Sequence, residues 1–275
     1  MKNGVAVLCS AKVSIYDINY EILSIIRKEY LRNPLLYAYV FYDIMYELDR
    51  TYIVFKIKDR KIIGFALLWK GMVPNGLHLY GDFEDLIGEL DLDKETFIMV
   101  YSLEGLSRRS KEVFMRKGSL ENSGTYLDMV VDSEHFRPYY PEKAVRLRRE
   151  HAAEFMEVKK EQGREISVEE ALKRLSKYRY YGVFFEGKLA SIACAYLITP
   201  EVWIIGDVYT REKFRGRGFG KIVASAITRD AIRCSGKAML HVREDSKPAI
   251  KVYTKLGYRA VSKRRWYYFK PKPMG

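Results

Sequence analysis

The stretch Asp207–Lys221, DVYTREKFRGRGFGK, constrains this chain more than any other part of it. A strand expected over Val202–Tyr209 leads toward Arg215-Gly216-Arg217-Gly218-Phe219-Gly220. From Phe219 the residues Ile222, Val223, Ala226, Ile227 and Ile232 then form an amphipathic stripe. A strand, a glycine loop and a helix in that order place backbone N–H groups at a helix N-terminus, where the first turn has no internal acceptors. Glycine lets such a backbone close on a bound group without side-chain obstruction, and the helix dipole adds partial positive charge. Arg215, Arg217 and Lys221 add full charges. The stretch therefore reads as an anion cradle, with a turn on a basic surface as the plainer alternative. It is neither a P-loop, which needs Gly-Lys-Ser/Thr, nor a dinucleotide fingerprint.

Charge placement supports a polyanionic ligand in the same region. The net charge is +13, and from Glu201 onward 18 Lys and Arg stand against 6 Asp and Glu, so residues 1–200 are close to neutral. A basic C-terminal third fits a phosphorylated cofactor, a nucleic acid or an acidic protein; the alternative is a solvated surface. Gln occurs once while Lys, Arg and Glu abound, a thermophile-like composition in which charges form ion-pair networks. The three cysteines, Cys9, Cys194 and Cys234, are too widely spaced for a disulfide framework or a zinc cluster. Cys194 lies in the apolar run Ala190–Ile198 and reads as a buried hydrophobe. Four scattered histidines (His78, His135, His151 and His241) offer no metal-ligand spacing. No apolar run is long enough to span a bilayer, and Val5–Cys9 is too short for a signal-peptide core, so a cytoplasmic location is the default.

Along the chain, Ile22, Ile25, Ile26 and Tyr30 form a helical stripe, Leu36–Leu48 forms another, and Pro34 marks the break. Tyr52–Lys58 and Ile62–Trp69 read as a hairpin about an Asp59-Arg60 turn. Leu77–Tyr80 and Thr96–Tyr101 are strand-like, and Phe83–Leu90 reads as helical. Arg108–Gly124 is a basic connecting stretch, Tyr126–Val131 a strand, and the turn-rich Ser133–Pro141 a domain boundary. Residues 1–132 and 133–275 are thus expected as two domains. In the second, Ala144–Lys159 and Ser167–Ser176 read as helices, Ser167 with Glu170 forming a capping box. Tyr178–Phe185 and Lys188–Leu197 form a hairpin, Val202–Tyr209 a strand, Ala238–Val242 a strand and Ser246–Leu256 a helix. Ser246 or Asp245 suits its N-cap, Pro248 its first turn and Gly257 its stop. Tyr258–Ser262 and Arg265–Phe269 read as a closing strand pair.

The two hairpins, offset by about 128 residues, make a weak internal repeat. Each follows two helices, and each is followed by a strand containing Tyr-Gly-Asp (Tyr80–Asp82) or Ile-Gly-Asp (Ile205–Asp207). The first copy continues FEDLIGEL, acidic and without a glycine loop; the second continues into RGRGFG.

Two blocks resemble the GNAT superfamily of N-acetyltransferases. Its phosphate-loop pattern, Arg/Gln-x-x-Gly-x-Gly/Ala, appears at Arg215, Gly218 and Gly220. Its second pattern, Asn-x-x-Ala-x-x-x-Tyr-x-x-x-Gly-Phe, appears at Ser246, Ala249, Tyr253, Gly257 and Tyr258. Both stand in the family's order and at its usual separation. Val208-Tyr209-Thr210 is similar to a subgroup related to glycine N-acyltransferases, which also carry a degenerate first copy. The resemblance implies an α/β fold with a mixed, mostly antiparallel central sheet flanked by helices, here duplicated. It also implies that acetyl-CoA lies in a V between the Val202–Tyr209 and Ala238–Val242 strands. The amides of Arg215, Gly216, Arg217, Gly218, Phe219 and Gly220, with Lys221 alongside, would hold the pyrophosphate. The edge formed by Val208, Tyr209 and Thr210 would meet the pantetheine, Ser246 and Ala249 would line the same cofactor, and no metal is involved. An amine would attack the thioester directly, and Tyr253 would protonate the departing thiolate.

Two positions depart from the family pattern. Ser246 replaces the usual Asn, although its hydroxyl can bond pantetheine or cap its helix. The strand carboxylate that serves many members as base is missing: Val202 and Ile204 are apolar. Asp207 is the catalytic-base candidate, although strand alternation places it on the face of Trp203 and Ile205, and a buried, hydrogen-bonded structural acid is the alternative reading of it. A bulge could turn Asp207 or Glu201 inward; His241, Glu244 and Asp245 are further candidates. The reading is thus an acetyl-CoA-dependent N-acetyltransferase acting on a primary amine, with acetyl-CoA and that amine as partners and no membrane. The alternative is a catalytically weak GNAT scaffold that senses CoA or grips nucleic acid; KRRWYYFK (Lys263–Lys270) is the one dense basic-aromatic run. A homodimer is compatible with the chain.

Overall fold

The computed structural model describes residues 11–272. The described chain divides into two compact units. One comprises residues through Tyr126 together with those from Lys263 onward; the other is Leu127–Ser262. The boundary therefore differs from a single cut at 132, because the last segment of the chain belongs with the first unit.

The first unit opens with strand β1 (Ala11–Ser14), then helices α1 (Tyr20–Arg32) and α2 (Pro34–Tyr46). Asn19 and Asn33 cap the two helices through their side-chain oxygens, and Pro34 occupies the first turn of α2, where its missing N–H costs nothing. Strands β2 (Thr51–Lys58) and β3 (Lys61–Trp69) form the expected hairpin. Strand β4 (Asn75–Gly81) adds antiparallel to β3, and β5 (Thr96–Val100) adds parallel to β4. The crossover between them is not the expected helix over Phe83–Leu90. It is a set of turns with one short 3-10 segment, Ile87–Glu89, whose apolar residues plug the sheet face. Helix α3 (Arg108–Lys117), capped by Ser107, occupies what reads as a basic connection, and strand β6 (Gly118–Asp132) follows it.

The second unit repeats this order. Strand β7 (Val145–Arg146) and helix α4 (Ala152–Glu161) replace the single helix expected over Ala144–Lys159, and α5 (Val168–Lys177) follows with Ser167 as N-cap. Strands β8 (Arg179–Phe185) and β9 (Lys188–Ile198) form a hairpin; β10 (Trp203–Thr210) pairs antiparallel with β9. Helix α6 (Phe219–Ser235) crosses over to β11 (Lys237–Arg243), which runs parallel to β10. Helix α7 (Lys247–Lys255) and strand β12 (Arg259–Pro271) complete the chain. One core cluster joins α6 and α7 to Trp203, Ile205, Leu240 and Val242; another packs α4 and α5 on β8 and β9 through Phe155, Leu175, Tyr180 and Ile192.

The closing strands are exchanged between the two halves of the sequence. Tyr258–Ser262 and Arg265–Phe269 do not pair as a hairpin: they are parts of one strand, β12, whose Arg265–Phe269 segment pairs with β5 in the first unit. Conversely, β6 runs on into the second unit, where it lies beside β11.

Candidate functional site

The pairing of β10 with β11 stops early. Trp203, Ile204 and Ile205 register with Ala238, Met239 and Leu240, but β10 continues to Thr210 and β11 to Arg243. On its other side β10 remains paired with β9 as far as Thr210, opposite Ser191. The backbone edge of residues 206–210 that faces β11 is thereby left without a ladder, and such an edge must find other partners. The corresponding strands of the first unit behave differently. There β4 and β5 pair from Asn75–Thr96 through Leu79–Val100, and the Tyr101 N–H continues onto the Leu79 carbonyl at 2.9 Å.

The glycine loop stands at the mouth of this opening. Gly216 and Gly218 adopt φ of +79° and +82°, a left-handed conformation that other residues reach only with strain. Gly218 is the N-cap of α6 and, having no side chain, provides no capping bond, whereas α1, α2, α3 and α5 are each capped by an Asn or Ser side chain. A Cβ on Gly220 would lie 2.9 Å from Thr210 Oγ1, so glycine there lets the first turn of α6 close on the end of β10. Thr210 Oγ1 is itself held by Ser191 Oγ at 2.9 Å. Downstream, Glu161 at the end of α4 anchors the loop: its carboxylate accepts from Arg211 Nε at 2.6 Å and from the Glu212 N–H at 2.8 Å. The three loop cations rest on local partners. Arg215 lies 3.2 Å from Glu212, the Arg217 guanidinium stands 4.8 Å from the Phe185 ring centre, and Lys221 Nζ sits 3.3 Å above that of Tyr139.

Helix α7 brings the second block to the same core. Tyr253 packs in the α6 cluster, 5.9 Å from the Tyr258 ring, and its burial pushes the phenol up to about 12. Ala249 packs, partly buried, against that cluster. Ser246 takes the N-cap position of α7, but its hydroxyl makes no capping bond there, and Asp245 pairs with Arg243 instead. Gly257 has φ +95°, and a Cβ there would meet the His135 carbonyl at 2.0 Å, so only glycine fits.

These features match known folds. Residues 180–267 match the family model described as FR47-like protein. A Drosophila protein superposes with a TM-score of 0.70 at 14% identity, covering 96% of this chain and 99% of that one. A GCN5-related N-acetyltransferase-like protein from Streptococcus suis gives 0.59 at 15% identity, covering 90% and 99%. A tandem GNAT protein from the clavulanic acid biosynthesis pathway gives 0.50 at 13%, covering 82% and 84%. No curated protein matches the sequence. The fold is that of the GNAT superfamily.

Within the GNAT fold of the second unit, Asp207 occupies a different place from the one strand alternation assigns. Between Gly206 and Tyr209 the register with β9 shifts, so Asp207 and Val208 oppose a single β9 residue: a bulge, with Asp207 at φ +52°. The bulge turns the carboxylate away from Trp203 and Ile205 and toward α4 and α5. There it pairs with Lys159, accepts from Tyr180 Oη at 2.7 Å and takes Gln162 Nε2 at 3.1 Å. Burial alone would raise the Asp207 pKa, but the Lys159 charge and these donors outweigh it and hold the carboxyl below its usual range. Lys159 shifts down as well, since burial of its fully enclosed ammonium outweighs the attraction of Asp207. Cys194, beside this network, is buried with its thiol pushed up, as expected of a structural cysteine.

A second buried carboxylate lies on β6. Asp128 Oδ1 lies 2.6 Å from His241 Nδ1 on β11, and Asp128 Oδ2 accepts from Ser262 Oγ at 2.6 Å. His241 is among the sequence candidates, but its partner is 113 residues away. The legible hint is an acid inside the apolar run Tyr126–Val131. Glu244 and Asp245 follow β11 and are exposed. Among the described residues no cluster of side chains is arranged to hold a metal ion, and no helix is long and apolar enough to cross a membrane.

Proposed function

We propose that the second unit transfers an acetyl group from acetyl-CoA to a primary amine by direct attack of the amine on the thioester. The observation that carries the reading is the opening between β10 and β11, with the glycine loop and the uncapped start of α6 at its mouth. The pyrophosphate would bind the amides of the Arg215–Gly220 loop, with Arg215, Arg217 and Lys221 released from their local partners to meet it. The unladdered edge at Val208, Tyr209 and Thr210 would take the pantetheine amides as a further strand would, and Ser246 and Ala249 would border the same path. Tyr253 keeps its proton at neutral pH and can give it to the departing thiolate. Asp207, with its oxygens committed to donors and its pKa lowered, is a poor proton acceptor. Its role in this reading is to hold the bulge that presents Val208 to the opening. The first unit, whose parallel strands stay paired, offers no such opening and would have a supporting role.

Calorimetry with acetyl-CoA, and thiol release in the presence of a panel of primary amines, test this directly. Gly218→Glu should abolish binding, because a side chain at φ +82° strains the cap and places a carboxylate where phosphate would lie. Tyr253→Phe should keep binding and lower kcat by about 100-fold. Binding that is indifferent to Gly218→Glu would remove the loop from the site. A second reading, a scaffold that senses CoA without turning it over, draws on the commitment of Asp207 to Lys159. It predicts acetyl-CoA binding with no thiol release for any amine.

A further inference from the structure

We propose that His241, oriented by Asp128, is the general base that takes the proton from the acceptor amine; this rests on the acyl-transfer reading above. His241 directly follows Leu240, the last β11 residue paired with β10, so it stands where the two strands part. Leu240 and Val242 both belong to the core cluster formed with α6 and α7, and alternation along the strand turns His241 to the opposite face. Tyr253 belongs to that same α6 cluster. Acid and base therefore flank the opening from opposite faces. A carbonyl bound between the strands would have the base available to the attacking amine and the acid available to the departing thiolate without the two groups competing for one position.

The ring is held for that task. Asp128 is 1% exposed, and an ionised carboxylate can only accept. With His241 Nδ1 and Ser262 Oγ both at 2.6 Å, Nδ1 donates to Asp128 and Nε2 becomes the basic nitrogen. A carboxylate that fixes the tautomer of a histidine in this way also stabilises the imidazolium once it forms. Asp128 is a positioning residue, and Ser262 steadies it. The imidazole is 4% exposed, so proton transfer would run through one water at the strand opening.

The step balances without any further reagent. An acceptor ammonium gives one proton to His241 Nε2 by way of the water and becomes the neutral nucleophile. Its nitrogen bonds the thioester carbon and the C–S bond breaks. The thiolate takes the Tyr253 proton, and the second proton shed by the nitrogen returns to Tyr253 through solvent. His241 then releases its proton to water, so the net products are the amide, the free thiol and one proton.

The test measures acetyl-CoA affinity by calorimetry and turnover by thiol release, for the wild type, His241→Asn and Asp128→Asn, over the same amines. Asn keeps a donor near the position of Nδ1, so the bond to Asp128 survives while Nε2 is lost. The expected result is unchanged acetyl-CoA affinity with kcat lower by about 100-fold in His241→Asn, and a smaller loss, again in kcat alone, in Asp128→Asn. Should His241→Asn fail to fold by circular dichroism, the same comparison is made on His241→Gln. Wild-type turnover in the folded histidine variant would overturn the base assignment and leave acyl transfer standing. A wild type that binds acetyl-CoA but releases no thiol with any amine would overturn both.

Discussion

Asp207 stands at φ +52° inside a strand, with its carboxylate among Lys159, Gln162 and Tyr180 rather than facing solvent. Removing one partner of a buried pair strands the other, at about 3 kcal/mol or more. Lys159→Met should therefore lower the unfolding free energy by about 3 kcal/mol in denaturant titrations. The sign of the pH effect follows from the lowered Asp207 pKa. The carboxylate contributes stability above the unfolded value of about 4, and that contribution is lost as pH falls through the folded value. Melting temperature should thus drop on acidification below about pH 4, and Asp207→Asn, already weakened at neutral pH, should flatten that decline. A bulge at Asp207 and a structural role for its acid were open from the sequence; that the bulge forms, and which partners it meets, were not. One extra residue in a strand leaves no mark on an apolar-polar pattern, and Lys159 is 48 positions away. The glycines at 216, 218, 220 and 257 were legible, because each answers a local demand of backbone angle or close approach.

At the scale of elements, hairpins and capped amphipathic helices follow from local chemistry. Ser167 accepts the Glu170 N–H at 3.1 Å, as its place before an apolar stripe implies, and Ser167→Ala should cost about 1 kcal/mol, read as a lowered melting temperature. Helix α6 lacks such a side-chain cap, so its first turn should respond to anions instead. Arg217→Ala combined with Lys221→Ala should weaken acetyl-CoA binding and flatten its dependence on ionic strength, measured by calorimetry across a salt series. The misread elements share a cause. Over Ala144–Lys159 the apolar residues keep helical spacing, yet Val145 and Arg146 pair with Gly182 and Tyr181 and the helix begins only at Ala152. Over Phe83–Leu90 the spacing is again helical, but those side chains fill a sheet face from turns. Periodicity shows which residues are buried and leaves the backbone conformation to tertiary partners.

At the scale of the molecule, the repeat is a shared strand order: a hairpin, an antiparallel third strand, then a parallel fourth. The similarity of the hairpins signalled it, whereas the exchange of closing strands could not be read, since pairing partners far apart in sequence leave no local trace. In the first unit the C-terminal segment is well anchored. Trp266 stacks on Tyr126 with ring centres 4.0 Å apart, the Tyr267 hydroxyl accepts the Leu106 N–H at 3.1 Å, and Phe269 is fully buried near Phe114. Deleting residues from Lys263 onward should expose β5 and the α3 region to proteolysis and rapid amide exchange, while α4–α6 stay protected; mass spectrometry of exchanged peptides reads both.

The same exchange sets an order of events during synthesis. Residues 11–126 leave the ribosome before the second unit, but β5 has no outer neighbour until Arg265–Phe269 has emerged. Everything assigned to the second unit, by contrast, is available once Ser262 is out. Domains generally fold as they appear, N-terminal first. Here the later half of the chain is the one that can be finished earlier, and the half made first waits for the last strand.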